Sequence, residues 1–510
     1  MDKGSKGLQG IASMLFHGMF AVLWFLMLPG IVIFGIWDNI LMLIPLLLIT
    51  AVVILYKRKP GIISNLRTIA VRYTDRCSVI TVTVFLMVIQ VALQAYIGYE
   101  MAVTPAGDRN VIFKQASEMA LDSVFKTSSE YNFYFLRYPN NQMLLLLETA
   151  WFMILKGFGS VNFLYWNMVL NILAIDIGII LCMVLVKRKY GKRAAVFFQV
   201  MAFLFIPFYT YIPFVYTDTL VLPAVAGLLL CYQLIEENFN RKGIKIYVLA
   251  CIMGLVTWAG FELKPTVAII TIASVFHMVI VKGWKKGIIA TSAIMLVFGT
   301  CMVSYNMVLD KIDMVDQTDY DKENFPYTHW VMMGLKGAGN YNLEDREYTS
   351  SFATKEEKQK GNMEMIKKRL KDYGITGLFA HQYIKAVNTW SNGKYDMDFH
   401  LQRQPVRKSW LQAVFFKKGK FYPLYNLCCT IYHWTLLVFI GISVVYGLAK
   451  RETNSAAMWR LALFGLFLFL SIWETKSRYV MHFVPVMMLI TIDTLKNITA
   501  INGKNYIIKQ

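Results

Sequence analysis

Apolar segments near the length of a membrane span recur along almost the whole chain, separated by shorter polar connections. A helix needs ~20 predominantly apolar residues to cross a bilayer, so each segment is expected to be a transmembrane helix. We expect twelve spans, at residues 11–36, 40–56, 77–98, 161–186, 194–213, 218–235, 246–262, 265–281, 287–309, 426–449, 457–473 and 479–495. The pattern predicts an all-α polytopic membrane protein.

The composition agrees with this pattern. The chain has 510 residues, of which 56% are hydrophobic and only 16% are charged. A soluble protein would carry roughly 25% charged residues. The composition therefore excludes a soluble enzyme.

Basic residues cluster in the connections that follow the even-numbered spans. The segments 1–10, 57–76, 187–193, 236–245, 282–286, 450–460 and 496–510 contain 25 Lys and Arg and 5 Asp and Glu, so they carry the whole net charge of +20. The positive-inside rule assigns these segments, and both termini, to the cytoplasm of a multi-pass protein of the cell membrane. This charge faces anionic membrane lipids, and no nucleic-acid partner is expected.

This topology places two large loops, residues 99–160 and 310–425, on the extracytoplasmic face. Residues 1–76 form two extra N-terminal spans with a cytoplasmic loop, residues 77–309 form the core, and residues 426–510 form the C-terminal spans and tail. The apolar stretch Met143 to Leu155 has 13 residues and contains Glu148. It is too short for a span and is predicted to be an embedded or interfacial helix.

Both large loops contain helical patterns. In the first, an apolar stripe follows Asp108 and predicts an interfacial helix; it consists of Ile112, Ala116, Met119 and Ala120. In the second, Thr354 and Glu357 form a capping box, and Gly374 is a plausible helix end. A further stripe predicts a helix on the membrane surface; it consists of Leu378, Phe379, Tyr383, Val387 and Trp390.

Ionisable residues stand at the extracytoplasmic ends of the spans, where charges are costly and tend to be paired or functional. They are Asp108, Arg137, Asp218, Glu262, Lys264, Glu474, Lys476, Arg478 and His482. Together they would supply carboxylates that accept a proton and cations that hold a phosphate. These are the requirements of sugar transfer from a lipid phosphate donor.

Four motifs carry a family resemblance: PAGD in the first large loop, LRYPNNQ before the short helix, VYTDTLVLP at the start of the sixth span and ETKSRYVMHFVP at the last outer turn. In this order they resemble the C-fold (GT-C) glycosyltransferases, particularly bacterial relatives of protein O-mannosyltransferases and lipid A aminoarabinose transferases. The resemblance covers most of residues 77–495.

The resemblance implies an inverting enzyme that moves a sugar from a polyprenyl-phosphate carrier to an acceptor hydroxyl. Asp108 matches the catalytic base and Asp218 a second acid, while Arg109 stands where many relatives have another acid. The residues expected to bind the lipid phosphate are Arg137, Tyr138, Lys264, Glu474, Arg478 and Tyr479. The acceptor would be a protein, a wall polymer or a glycolipid.

Most of these residues also have a structural alternative. Asp108 and Asp218 could each act as a helix N-cap, and Asp218 could instead orient the acceptor or pair with Arg137 or Lys264. Arg137 could reach lipid headgroups, Glu262 could pair with Lys264, and Glu474 could pair with Arg478 one helical turn later.

No cofactor is expected from the sequence, and a metal is not favoured. The histidines show no HxxxH spacing, and no CxxC pair occurs. The acidic run from Asp310 to Glu323 lacks the glycine and terminal glutamate of a calcium loop, so it is interpreted as a solvated linker. The glycine-rich GLKGAG, residues 334–339, lacks the context of a nucleotide loop and is interpreted as a solvated turn.

Two other functions suit twelve spans. A flippase or transporter for a lipid-linked saccharide would need ionisable groups near the middle of the membrane, where the sequence offers Asp176 and His277. A non-catalytic membrane scaffold would need none of the residues named above.

Overall fold

Helices form nearly all of the regular structure, as the apolar segments predict. The computed structural model describes residues 3–38, 79–241 and 243–507, together with four isolated positions between residues 40 and 51. The predicted span 40–56 and the loop 57–76 therefore lie outside the continuously described residues. In the described part, the one β-type pairing is an isolated bridge between Val103 and Pro405.

The α-helices follow one another in a single series. In chain order they are α1 Lys3–Asp38, α2 Val79–Glu100, α3 Asp108–Asp122, α4 Ser129–Arg137, α5 Gln142–Gly157, α6 Phe163–Tyr190, α7 Lys192–Leu204, α8 Pro207–Thr210, α9 Thr217–Leu220, α10 Leu222–Asn238, α11 Lys245–Leu263, α12 Ala268–His277, α13 Trp284–Ile312, α14 Tyr320–Glu323, α15 Thr328–Gly334, α16 Leu343–Ser350, α17 Lys355–Trp390, α18 Met397–His400, α19 Gln412–Phe415, α20 Tyr422–Lys450, α21 Ser455–Ile472 and α22 Val484–Ile507.

Ten helical segments of the described chain are long and apolar enough to cross a membrane. They comprise α1, α2, α6, the pair α9 and α10, α11, α12 with its flanking turns, α13, α20, α21, and α22 with the 3-10 turn Ser477–Phe483 before it. Each coincides with one of the twelve predicted spans. The all-α polytopic membrane fold is thus confirmed.

The predicted span 194–213 is not a continuous helix. Helix α7 ends at Leu204 after 13 residues, and the chain then forms the short α8 and irregular turns up to residue 216. Pro207 and Pro213 lack the N–H groups that a continuous helix needs. Irregular backbone at membrane depth is tolerated only where protein covers it, and residues 207–222 are all buried. Asn171 supports this segment by donating to the Tyr211 carbonyl at 2.9 Å.

Helices α3 and α5 of the first large loop occur as predicted. Helix α3 starts at Asp108 and buries its apolar stripe of Ile112, Ala116, Met119 and Ala120. Helix α5 has 16 residues, still fewer than the ~20 of a full span. The two helices pack together, with the Phe113 and Phe152 rings 5.6 Å apart.

The second large loop is built around α17. Its capping box is present, with the Glu357 N–H donating to Thr354 at 3.2 Å. Gly374, the predicted end, is a kink with φ 57°, beyond which the helix continues to Trp390. The predicted stripe is divided: Phe379 is 74% exposed, whereas Trp390 is buried against Trp24 and Phe467. The end of α17 therefore packs into the helix bundle.

Lys385 fastens α17 to two other helices. Its ammonium donates at 2.9 Å to the carbonyls of Gly334, at the end of α15, and Ser471, at the end of α21. Those carbonyls have no partner within their own helices. Burial of the side chain lowers the pKa of Lys385 to about 7.

Replacing Lys385 with Gln is expected to remove a pH-dependent part of the stability. The folded protein releases the Lys385 proton above its lowered pKa, whereas the unfolded chain keeps it up to ~10.4. Between these values the unfolded chain binds more protons, so the stability of the wild type rises with pH. Melting temperatures in detergent should therefore shift in favour of the wild type between about pH 7 and about pH 9.5.

The control is Lys371→Gln, which removes an exposed lysine from the same helix. Its melting temperature should follow that of the wild type across this range. Parallel profiles for the wild type and Lys385→Gln would contradict the prediction.

Candidate functional site

Asp218 brings together three of the turns that the sequence singled out. Its carboxylate is fully buried at the start of the α9–α10 span. Lys264, after α11, forms an ion pair with Oδ1, and Arg478, before α22, donates to Oδ2 at 2.8 Å. Tyr479 completes the cluster, with its ring centroid 5.3 Å from the Lys264 ammonium. The cluster has two cations and one carboxylate, and therefore an excess of positive charge.

This geometry changes the role assigned to Asp218. Both of its oxygens are engaged by cations, so it neither caps a helix nor has an oxygen available to accept a proton from a substrate. Asp218 is therefore a positioning residue that holds Lys264 and Arg478 in place. Burial lowers the pKa of Lys264, and the Asp218 carboxylate opposes that shift.

The two local ion pairs considered from the sequence do not form. Lys264 pairs with Asp218 and not with Glu262, whose side chain meets Trp258. Arg478 does not pair with Glu474, because α21 ends at Ile472 and the chain at Lys476 is extended.

Glu474 has other partners. Its Oε1 accepts a hydrogen bond from the Tyr479 hydroxyl at 3.3 Å, and its N–H donates to the Trp330 carbonyl. Burial raises the pKa of Glu474. His482, in the same 3-10 turn as Arg478, is fully buried and lies 2.8 Å from the Thr266 hydroxyl.

Asp108 is an exposed carboxylate beside this cluster. It is the first residue of α3, while Gly107, with φ 63°, occupies the N-cap position without a side-chain bond. The capping alternative is therefore wrong. The carboxylate lies close enough to Tyr134, Tyr216 and Lys476 to act electrostatically on all three side chains. Burial, with Asp108 as the next cause, raises the pKa of Tyr134.

Arg137 is engaged in an ion pair with the second large loop, whereas Tyr138 lies close to Asp108. Arg137 forms an ion pair with Glu323 and stands 5.0 Å over the Phe325 ring, so it joins the first large loop to the second. Its predicted contact with a lipid phosphate, or with headgroups, would require this pair to open. Tyr138 remains at the site, because its hydroxyl is close enough to Asp108 for that carboxylate to raise its pKa, after burial.

Sequence reasoning missed Phe214, Asp396 and His400, which lie around Arg478. The Arg109 guanidinium lies 4.0 Å from the centroid of the Phe214 ring on the side of α3, and Arg478 lies 5.8 Å from it. His400 packs on the same ring at 4.2 Å. Asp396 adds a carboxylate whose pKa is raised by burial and which accepts a weak hydrogen bond of 3.4 Å from the Arg478 N–H.

Asp396 and His400 belong to the second large loop, where no helical or strand periodicity locates them. Tyr395 and Asp396 both adopt positive φ, which is uncommon for residues other than glycine and could not be predicted from the sequence at these positions. The one available signal was the density of acidic and aromatic residues in YDMDFH.

The acidic run of the second large loop is partly paired. Asp313 pairs with Lys126 at 2.5 Å, and Glu323 pairs with Arg137. Across the described ranges, no group of three or more His, Cys, Asp or Glu side chains is arranged to hold a metal ion.

One protein family matches a stretch of the chain that includes every residue of this site. The family described as conserved hypothetical integral membrane protein matches residues 10–498. The chain belongs to this family. No curated protein and no solved structure matches the chain. Membership agrees with the ten span-length apolar segments in the described part of the chain and makes this a multi-pass integral membrane protein.

Asp218→Asn is expected to destabilise the protein strongly, because it leaves two buried cations without a carboxylate. Removing one partner of a buried ion pair costs about 3–5 kcal/mol. Asp108→Asn changes an exposed side chain and should stay within about 0.5 kcal/mol of the wild type. Thermal unfolding of the purified variants in detergent measures both. Equal melting temperatures for the two variants would show that Asp218 does not hold the cluster together.

Proposed function

We propose that the protein is an inverting glycosyltransferase with a GT-C-like fold, which transfers a sugar from a polyprenyl-phosphate carrier to an acceptor hydroxyl. The observation that carries the proposal is an accessible carboxylate, Asp108, beside a buried cluster with excess positive charge. That cluster contains Lys264 and Arg478, held by Asp218. The order of the PAGD, VYTDTLVLP and ETKSRYVMHFVP motifs adds the resemblance to the GT-C enzymes.

The proposed reaction uses these groups on the two sides of the sugar. The acceptor oxygen forms a bond to the anomeric carbon, and the proton of its hydroxyl passes to Asp108, the general base. The bond from the anomeric carbon to the phosphate oxygen breaks, and its electron pair leaves with the phosphate. Lys264 and Arg478 stabilise the charge that develops on this leaving group. Attack opposite the leaving phosphate inverts the anomeric centre.

The location of the site suits a lipid-borne donor. Asp218, Lys264 and Arg478 stand at the ends of membrane-spanning segments, where a phosphate headgroup lies while its polyprenyl chain remains in the bilayer. The positive-inside pattern supports cytoplasmic termini and a site on the extracytoplasmic face. The acceptor would then be a protein, a wall polymer or a glycolipid on that face.

The polar groups inside the spans favour an enzyme over a flippase. Asp176 accepts hydrogen bonds from Gln90 at 2.7 Å and Gln94 at 3.1 Å. His277 is bonded to Tyr232 on a neighbouring helix. These contacts join helices to one another, whereas a transport pathway would present such groups to the cargo.

The decisive test is transfer by the purified protein in liposomes that contain a polyprenyl-phosphate hexose. Released polyprenyl phosphate and glycosylated acceptor are both measured. Asp108→Asn should lower the rate by about 10²–10⁴-fold, because it removes the general base. Asp122→Asn is the matched control, since it removes an exposed carboxylate at the other end of α3. Equal rates for Asp108→Asn and Asp122→Asn would remove Asp108 as the base. Movement of the lipid across the membrane without any covalent product would favour the flippase.

A further inference from the structure

The glycine-rich segment 334–339 forms a turn with Gly337 exposed, as predicted, but both of its ends are buried against other parts of the chain. Gly337 and Gly339 have φ of 55° and 79°, which allows the chain to turn sharply after α15. The Gly339 carbonyl accepts a hydrogen bond of 2.8 Å from the Thr475 N–H. A Cβ atom on Gly339 would lie 2.7 Å from the Lys385 side chain, whose ammonium is itself fixed. The segment is therefore attached to the same turn that carries Lys476 and Arg478.

The helix that follows, α16, is also held rigidly. Asn342 caps it by accepting the Asp345 N–H at 2.9 Å. The Asp345 carboxylate is buried and receives two hydrogen bonds from Arg369, at 2.8 and 2.6 Å. Arg369 also donates to the Met332 carbonyl, so α15, α16 and α17 form one unit. This framework fixes the position of Arg346, the residue after Asp345.

Tyr341, Arg346 and Lys476 lie together near Asp108 and form one wall of the candidate site. The Tyr341 hydroxyl lies next to the Arg346 guanidinium and raises the pKa of Arg346. The Lys476 ammonium stands 5.8 Å from the centroid of the same Tyr341 ring. Tyr138 links the group to the proposed base, because its hydroxyl is within electrostatic reach of Arg346, Tyr341 and Asp108. Tyr341 is 43% exposed, so the wall is open to solvent.

In the part of the chain that the structure describes, Arg346 and Lys476 are not held in ion pairs, in contrast to four other cations of the region. Arg137, Lys264, Arg369 and Arg478 each form an ion pair with a carboxylate. For Arg346 and Lys476, no ion pair occurs within the described ranges. The Nε atom of Arg346 is buried and has no hydrogen-bond acceptor there. Arg346 and Lys476 therefore keep N–H groups that no carboxylate of the described chain accepts, and both lie beside the Tyr341 phenol.

We propose that Tyr341, Arg346 and Lys476 form a subsite for an oxyanion on the acceptor, either a phosphate or a carboxylate. A guanidinium offers paired N–H donors to two oxygens of such a group, and the ammonium adds a point charge. The proposal rests on the proposed function, because it assigns the acceptor of the same reaction. Lys264 and Arg478 take the donor phosphate at the ends of the spans. Tyr341 and Arg346 belong instead to the second large loop, and Lys476 approaches them from the turn before the last span.

Binding is tested without catalysis, with the whole protein in detergent. Equilibrium dialysis measures the affinity for glycerol 1-phosphate, glucuronate and neutral glycerol. The wild type should bind one or both anions and not glycerol. Arg346→Gln and Lys476→Gln should each weaken that binding about tenfold or more, as expected for charge-assisted hydrogen bonds. Preference for one anion distinguishes a phosphorylated acceptor from a carboxylated one.

Two controls separate this subsite from general effects. Lys360→Gln removes an exposed positive charge from the same loop and should leave the affinity unchanged. Arg346→Lys keeps the charge without the paired donors and should retain part of the binding. Equal weakening by Lys360→Gln, or wild-type affinity in Arg346→Gln, would overturn the subsite.

Kinetics then separate the acceptor from the donor. In the transfer assay, Arg346→Gln should raise the KM for an anionic acceptor and leave the KM for the polyprenyl-phosphate hexose unchanged. A raised donor KM would instead assign the wall to the donor phosphate and overturn the acceptor assignment. If no variant or wild-type protein transfers sugar, the proposed function fails, while Arg346-dependent anion binding can still be measured by dialysis.

Discussion

The buried carboxylate of Asp218 is the constraint on which the arrangement of the site depends. Removing an ion from water costs several kcal/mol, which a buried pair recovers only with close partners and good geometry. Lys264 and Arg478 come from turns far apart in the chain, and both must reach the same carboxylate. Because both cations bind this carboxylate, the ends of the α9–α10 span, of α11 and of the α22 span are held together. The pairing also leaves one positive charge in excess, on which the proposed binding of a phosphate rests.

The broken crossing after α7 follows from the same requirement. A continuous helix over residues 194–213 would carry its side chains past the site at regular spacing. The irregular segment instead brings Phe214, Tyr216 and Asp218 to the cluster within five residues. Such backbone is stable at membrane depth only when its polar groups are satisfied by protein. Asn171 and the surrounding helices provide those partners, so the contacts that stabilise this segment also hold the start of the span that carries Asp218.

The two large loops contribute different chemistry to one site. The first supplies the exposed carboxylate of Asp108 at the start of α3. The second supplies the wall of Tyr341 and Arg346, held by the Asp345–Arg369 pair and by Lys385. Arg137 and Glu323 join the loops directly. The acceptor side of the proposed reaction is therefore built from loop segments, whereas the donor side is built from the ends of spans.

The sequence by itself determined the elements whose signals are local. Apolar length located ten described spans, because a bilayer imposes that length on any helix that crosses it. Period and capping located α3 and the start of α17. Only the tertiary structure decided the partners of the charges: Arg478 meets Asp218 across 260 positions, and no local rule prefers that carboxylate over Glu474. Asp396, His400 and Arg346 became visible in the same way, since burial and proximity arise from packing and not from spacing along the chain.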